Sequence, residues 1–231
     1  MSEREKILER IREALRNPAQ PPHDDSRDNH GASTQASPLK QSREWLPQVG
    51  SGIKDQLETF ARNAADLKAA FSLVGGQEEL TRKLTELRDA EAWKKLGSHR
   101  GELTGLACSA LGLPVQYTDS GYEAQSLESC DAGITECDAL VAQTGSVLLT
   151  SVSAGGRALS VLPPHHVVLA RVAQMVPDLP EAFALLRRKY EKNYPSFISF
   201  VTGPSRTGDI ERILVLGAHG PKKLTIFCLK D

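Results

Sequence analysis

Hydrophobic and polar positions divide the chain into three parts. Over residues 1–16, Ile7, Leu8, Ile11, Ala14 and Leu15 fall on one helical stripe, with charged residues around the rest. Fifteen or so residues make a marginal isolated helix, so the stripe is expected to dock, on its own domain or on a partner. Residues 17–51 lose the pattern. Pro18, Pro21, Pro22, Pro38 and Pro47 stand among small polar residues, and large apolar side chains are scarce before Trp45 and Leu46. Such a stretch reads as a linker. Residues 52–231 then alternate helical and extended patterns.

Within this third part, Leu57, Phe60, Ala61, Ala64 and Leu67 recur at helical spacing, and residues 69–74 read as a strand closed by Gly75-Gly76. A helix is predicted over 77–87, a weak strand near Ala92-Trp93, a helix over 103–111 and a strand over 115–118. Apolar runs at 139–142 and 147–150 flank Gln143-Thr144-Gly145-Ser146. Pro163-Pro164 divides a strand before it from one over 166–170, a helix follows over 179–190, and strands are predicted at 197–201 and 224–229. Helix and strand in alternation predict an α/β fold, a mostly parallel central sheet flanked by helices.

Composition removes several functions. The net charge of −1 offers no basic surface for nucleic acid or an anionic membrane. No apolar run reaches the roughly 20 residues that span a bilayer, and the charged start lacks the apolar core of a secretory signal, so the expected location is cytoplasmic. Cys108, Cys130, Cys137 and Cys228 are scattered without a Cys-x-x-Cys pair, so no metal or cluster is expected in this chain.

Two turns carry the candidate chemistry. Thr202-Gly203-Pro204 ends a strand, and Ser205, Arg206 and Thr207 follow. Hydroxyls and a guanidinium on a tight turn suit an anion, the more so if a helix starts near Thr207 with Asp209 and Glu211 in its first turn. Gln143 and Thr144 lie in the other turn, at a strand end of the kind where α/β sheets bind ligands; a plain hairpin is the alternative. Arg157, after Gly155-Gly156, and His219, between glycines, are further candidate contacts. His165 and His166 point to opposite faces if extended, so at most one lines a given pocket.

In this order and spacing, five blocks resemble the lactate utilization protein C family, whose shared unit is the LUD domain. They are Asp131–Thr135, Ala142–Ser146, Arg157–His166, Thr202–Glu211 and Gly217–Pro221. The resemblance covers roughly residues 53–231. It implies a fold similar to the sugar-isomerase and CoA-transferase superfamily. It also implies a part in oxidising L-lactate to pyruvate beside iron–sulfur partner proteins, with the clusters in the partners. Many family members carry Glu where this chain has Gln143, which cannot ionise or attack a carbonyl. A carboxylate-dependent step at that position is therefore not expected.

The reading that joins these expectations is an accessory subunit with an anion-binding pocket at the carboxyl edge of the sheet, between the two turns. Ser205, Arg206 and Thr207 would hold the anion and Asp209 would orient Arg206. A stand-alone enzyme acting on a phosphorylated sugar or an acyl-CoA is one alternative. A non-catalytic assembly factor working through its N-terminal helix is another.

Overall fold

The computed structural model describes residues 5, 9, 48–210, 213–216 and 220–230, and for 207–210 and 213–216 the backbone alone. The chain separates into a unit of residues 1–37 and a unit of residues 38–231. The helix expected over 1–16 lies outside the described residues apart from Glu5 and Glu9, which are helical and exposed. The linker expected over 17–51 lies outside them up to residue 47.

The elements run α1 (Ile53–Asp66), β1 (Ala70–Val74), α2 (Gln77–Ala90), β2 (Leu96–Ser98), α3 (Glu102–Leu111), β3 (Val115–Tyr117) and α4 (Ala124–Glu128). They continue with β4 (Ala132–Thr135), β5 (Ala139–Val141), β6 (Ser146–Thr150), β7 (His165–Arg171) and β8 (Met175–Val176). The last are α5 (Leu179–Tyr190), β9 (Ile198–Val201), β10 (Arg206–Ile210), β11 (Ile213–Leu216) and β12 (Lys223–Leu229).

Local chemistry sets several boundaries. Gln56, Phe60 and Ala64 form the buried stripe of α1. Gly112, in the left-handed region at φ 62°, ends α3. Asp178 caps α5 by accepting from the Glu181 amide at 2.9 Å, Pro180 sits in its first turn, and Arg187, Arg188 and Lys189 occupy its last turn, where the dipole favours cations.

Six strands form one sheet in the order β1-β12-β7-β4-β2-β3, and every neighbouring pair is parallel. A second sheet, β8-β5-β6-β9, is mixed, with β6 antiparallel to both β5 and β9. The architecture is α/β with a parallel central sheet, as the alternating pattern predicts.

The sheets stack in layers. Leu80, Leu84, Leu103 and Leu111 of α2 and α3 pack on Val167, Leu169, Phe227 and Leu229 from one face of the large sheet. Val168, Ala170, Leu224 and Ile226 on its other face meet Phe60 and Ala64 of α1 and Leu140, Val147 and Leu149 of the second sheet. The far side of that sheet, through Val141 and Leu148, is covered by Ala182 and Leu186 of α5. Each fully buried leucine contributes about 1.5–3 kcal/mol. Among the described residues no helix is long and apolar enough to cross a membrane.

Two expectations fail here. The strand expected near Ala92-Trp93 is displaced to Leu96–Ser98, and Trp93 is instead a buried core side chain. The strand expected before Pro163-Pro164 is a 3-10 turn over Ala158–Ser160, closed by the Ser160 hydroxyl donating to the Arg157 carbonyl at 2.9 Å. That turn lies against β4. A Cβ on Gly133 would overlap the Leu159 carbonyl oxygen and press on Pro163. Gly133→Ala is therefore expected to cost about 1–3 kcal/mol, as overpacking does. Gly105→Ala, inside α3 with open space around it, is expected to be neutral or to add up to about 1 kcal/mol. Denaturant unfolding of the two variants checks the contrast.

Candidate functional site

The turn after β9 is built on close backbone approach. Gly203 has φ 83°, and a Cβ there would stand 2.8 Å from the Leu67 carbonyl oxygen at the end of α1. The Ser205 amide donates to the Pro221 carbonyl at 2.9 Å, which fastens this turn to the one before β12. From Arg206 the chain is extended. β10 pairs antiparallel with β11, Arg206 opposite Leu216 and Thr207 opposite Val215. The helix expected to start near Thr207 is therefore absent, and with it the helix dipole expected for an anion. Thr207, Ile210, Ile213 and Val215 are β-branched and favour the hairpin.

The second turn, Gln143–Ser146, is a hairpin between β5 and β6. Asn63 of α1 clamps it, its side-chain amide donating to the carbonyls of Ala142 and Gln143 at 2.9 Å each. The Gln143 amide donates to the Pro177 carbonyl at 3.0 Å. The two turns do meet: the hydroxyls of Ser146 and Thr202 lie 2.7 Å apart.

Beyond that contact is a cavity of about 220 Å³. Its apolar wall is Val161, Val201, Pro204, Pro221 and Leu224, and its polar groups come from Ser160, His166, Thr202 and Ser205. His166 and Leu224 are register partners at the beginnings of β7 and β12. The cavity thus lies at the amino ends of these strands, not at the carboxyl edge that the sequence suggested. The reason is topological: β9 belongs to the second sheet, and the loop that leaves it reaches the start of β12 rather than the end.

Of the residues predicted from the sequence, Ser205 lines the cavity. Arg206 is exposed at its edge, with Nη2 3.3 Å from where a Cβ on Gly203 would stand. Gln143 and Thr144 sit half-buried in the clamped hairpin and do not line it. Arg157 is also apart from it, exposed, its guanidinium 5.6 Å from the Phe197 ring centroid. Thr207 and Asp209 belong to β10, where only the backbone is described, and His219 lies outside the described residues.

His166 and Ser160 are the cavity residues that sequence reasoning missed. For His166 the signal available was a histidine pair opening an otherwise apolar strand, with one ring on each face. His166 is 1% exposed. Its Nε2 lies 2.9 Å from the Thr135 hydroxyl, and its buried Nδ1 has no hydrogen-bond partner. Burial, aided by His165, pushes its pKa down to about 3, so the ring is neutral. His165 faces the opposite side, with Nε2 2.8 Å from the Thr225 hydroxyl and its ring edge-on to Trp93 at 5.3 Å. Burial takes it to about 4. Among the described residues the cavity lining carries no ionised side chain, and no three of His, Cys, Asp and Glu gather as metal ligands.

Residues 117–229 match the LUD domain family. The matched stretch is just under half of the chain. The match takes in every described residue of the cavity wall. Two lactate utilization protein C chains are similar to this one. That of Geobacillus sp. (strain WCH70) is 39% identical over 106 residues, 45% of this chain and 44% of the relative. That of Anoxybacillus flavithermus is 38% identical over 107 residues, 46% of this chain and 47% of the relative. The chain thus spans just under half the length of these relatives. A DUF162 family protein from Deinococcus radiodurans superposes with a TM-score of 0.60 at 19% identity, over 78% of this chain and 99% of that one. At that identity the likeness is one of fold.

The two histidines give the protein a defined pH response. Unfolded, both imidazoles bind a proton near pH 6.5; folded, they resist protonation down to about 4 and about 3. Their contribution to stability is complete above pH 6.5 and declines as pH falls toward the folded values. The slope approaches about 1.4 kcal/mol per pH unit for each ring. Denaturation midpoints between pH 7 and 4 are expected to show this fall, and His166→Gln is expected to lose one ring's share. A flat wild-type profile contradicts the burial of neutral rings.

Proposed function

We propose that the protein is a cytoplasmic component of an L-lactate utilization system. In this reading it is an accessory subunit that binds a small anionic metabolite, while iron–sulfur partner proteins carry the electrons released as lactate becomes pyruvate. The observation that carries the reading is the overlap of two findings. The stretch that matches the LUD domain family, residues 117–229, contains the whole cavity lining and Arg206 at its edge, and relatives similar to this chain bear the name lactate utilization protein C. Arg206 supplies a cation at that edge, beside Gly203 and next to Ser205. A guanidinium can grip a carboxylate through two parallel hydrogen bonds, and hydrogen bonds to a charged group contribute about 1.5–3 kcal/mol each. Gln143 bears no charge and is held in a hairpin away from the cavity, so binding rather than carboxylate catalysis fits this chain.

The test reconstitutes lactate-dependent electron transfer from the iron–sulfur partners with and without this chain. Addition of the wild-type protein is expected to raise the rate. Arg206→Ala is expected to lose most of that stimulation, at least tenfold in the concentration needed, while its thermal unfolding is unchanged. Equal rates with and without the chain defeat the proposal.

A further inference from the structure

The cavity has a polarity that its edge does not share. Its volume of about 220 Å³ is room for about seven water-sized groups. Five apolar residues supply most of the wall. Three of its four polar lining residues are hydroxyls: Ser160 Oγ donates to the Arg157 carbonyl, Thr202 Oγ1 meets Ser146 Oγ, and Ser205 stands on the turn. The fourth is the buried imidazole. Thr135 fixes its Nε2 side, and Nδ1 is left without a partner. An orphaned buried polar atom costs about 1–3 kcal/mol, which a bound group with a matching hydrogen bond recovers. A carboxylate or ammonium driven inside would lose its hydration and meet no opposite charge among the described lining residues, a cost of several kcal/mol.

We infer that the cavity is a binding site for the uncharged end of a small metabolite, a hydroxyl, carbonyl or amide group flanked by a few carbons, with its polar atom hydrogen-bonded to His166 Nδ1. The inference rests on the reading above only for the other end of that molecule, whose carboxylate stays at the edge beside Arg206. The Thr135 hydroxyl can donate to Nε2 or accept from it. The ring therefore presents Nδ1 as a donor to a carbonyl or as an acceptor to a hydroxyl, and accommodates either. Val161, Val201 and Leu224 surround the flanking carbons. The neutrality of the ring, with its pKa held near 3 by burial, agrees with a site that selects against charge.

Three probes of nearly the same shape test this: butyramide, butyrate and butylammonium. The full-length protein carries Arg206→Ala, which removes charge anchoring at the edge, and its histidine rings are labelled with nitrogen-15. Butyramide is expected to shift the His166 Nδ1 resonance and to bind at least tenfold more tightly than either ion. His166→Phe is expected to abolish that binding. Should that variant fail to fold, Leu224→Trp, which fills the space, is expected to abolish it as well. A His166 resonance unmoved by butyramide, or butyrate binding as well as butyramide, overturns the inference. Neither result depends on the iron–sulfur partners, so loss of this inference leaves the electron-transfer reading standing, and the reverse holds too.

Discussion

β7 is the strand on which the molecule turns. It lies between β4 and β12 in a parallel sheet covered on both faces, and such a strand must be apolar throughout. It opens nevertheless with His165 and His166. The sheet accepts them because each neighbouring strand offers a hydroxyl. Thr225 on β12 answers His165, and Thr135 on β4 answers His166. Both pairings depend on register. A slip of one residue would turn each ring to the wrong face and away from its threonine. The constraint leaves two neutral rings, each with a buried Nδ1 that has no hydrogen-bond partner, and of the two only His166 lines the cavity.

The four residues Thr135-Glu136-Cys137-Asp138 show how tightly the surroundings are bound to that strand. Thr135 holds His166. Glu136 accepts from the amides of Leu103 and Thr104 at 2.8 and 3.2 Å, capping α3 where the helix dipole favours a carboxylate. Asp138 accepts from Lys189 at 2.6 Å and from Tyr190 at 2.8 Å, anchoring the end of α5. Burial pushes the Asp138 carboxyl up, but these bonds outweigh it and hold the group below its usual range. One short segment after β4 therefore secures the cavity histidine and a helix on either side of the two sheets. Asn63 does the corresponding work for the hairpin, joining α1 to the second sheet without entering the cavity.

Much of this was legible in the residues. α5 was expected over 179–190 and spans those residues because an Asp cap, a Pro in the first turn and a basic last turn mark both ends. β2 was not legible. Leu96-Gly97-Ser98 has no strand propensity and is held by pairing with β3 and β4, with Asp131 accepting from the amides of Lys94 and Lys95 beside it. The meeting of the two turns could be anticipated from their composition, but their depth could not. The carboxyl-edge rule for open α/β sheets applies to loops that follow strands of the parallel sheet, and the loop after β9 follows a strand of the other sheet. His166 stayed unassigned for a related reason. Its neighbours Val167 and Leu169 alternate with Val168 and Ala170 as equally apolar, so nothing in the strand itself says which face meets the cavity.

The central claim is that the folded sheet keeps His166 uncharged with one bare ring nitrogen. A nitrogen-15 titration of the labelled histidines in the native chain, from pH 7.5 down to the onset of acid unfolding, tests it most directly. The account predicts that the His166 ring shows one protonated and one bare nitrogen throughout. A His166 ring that takes up its second proton near pH 6.5, as a free imidazole does, contradicts it.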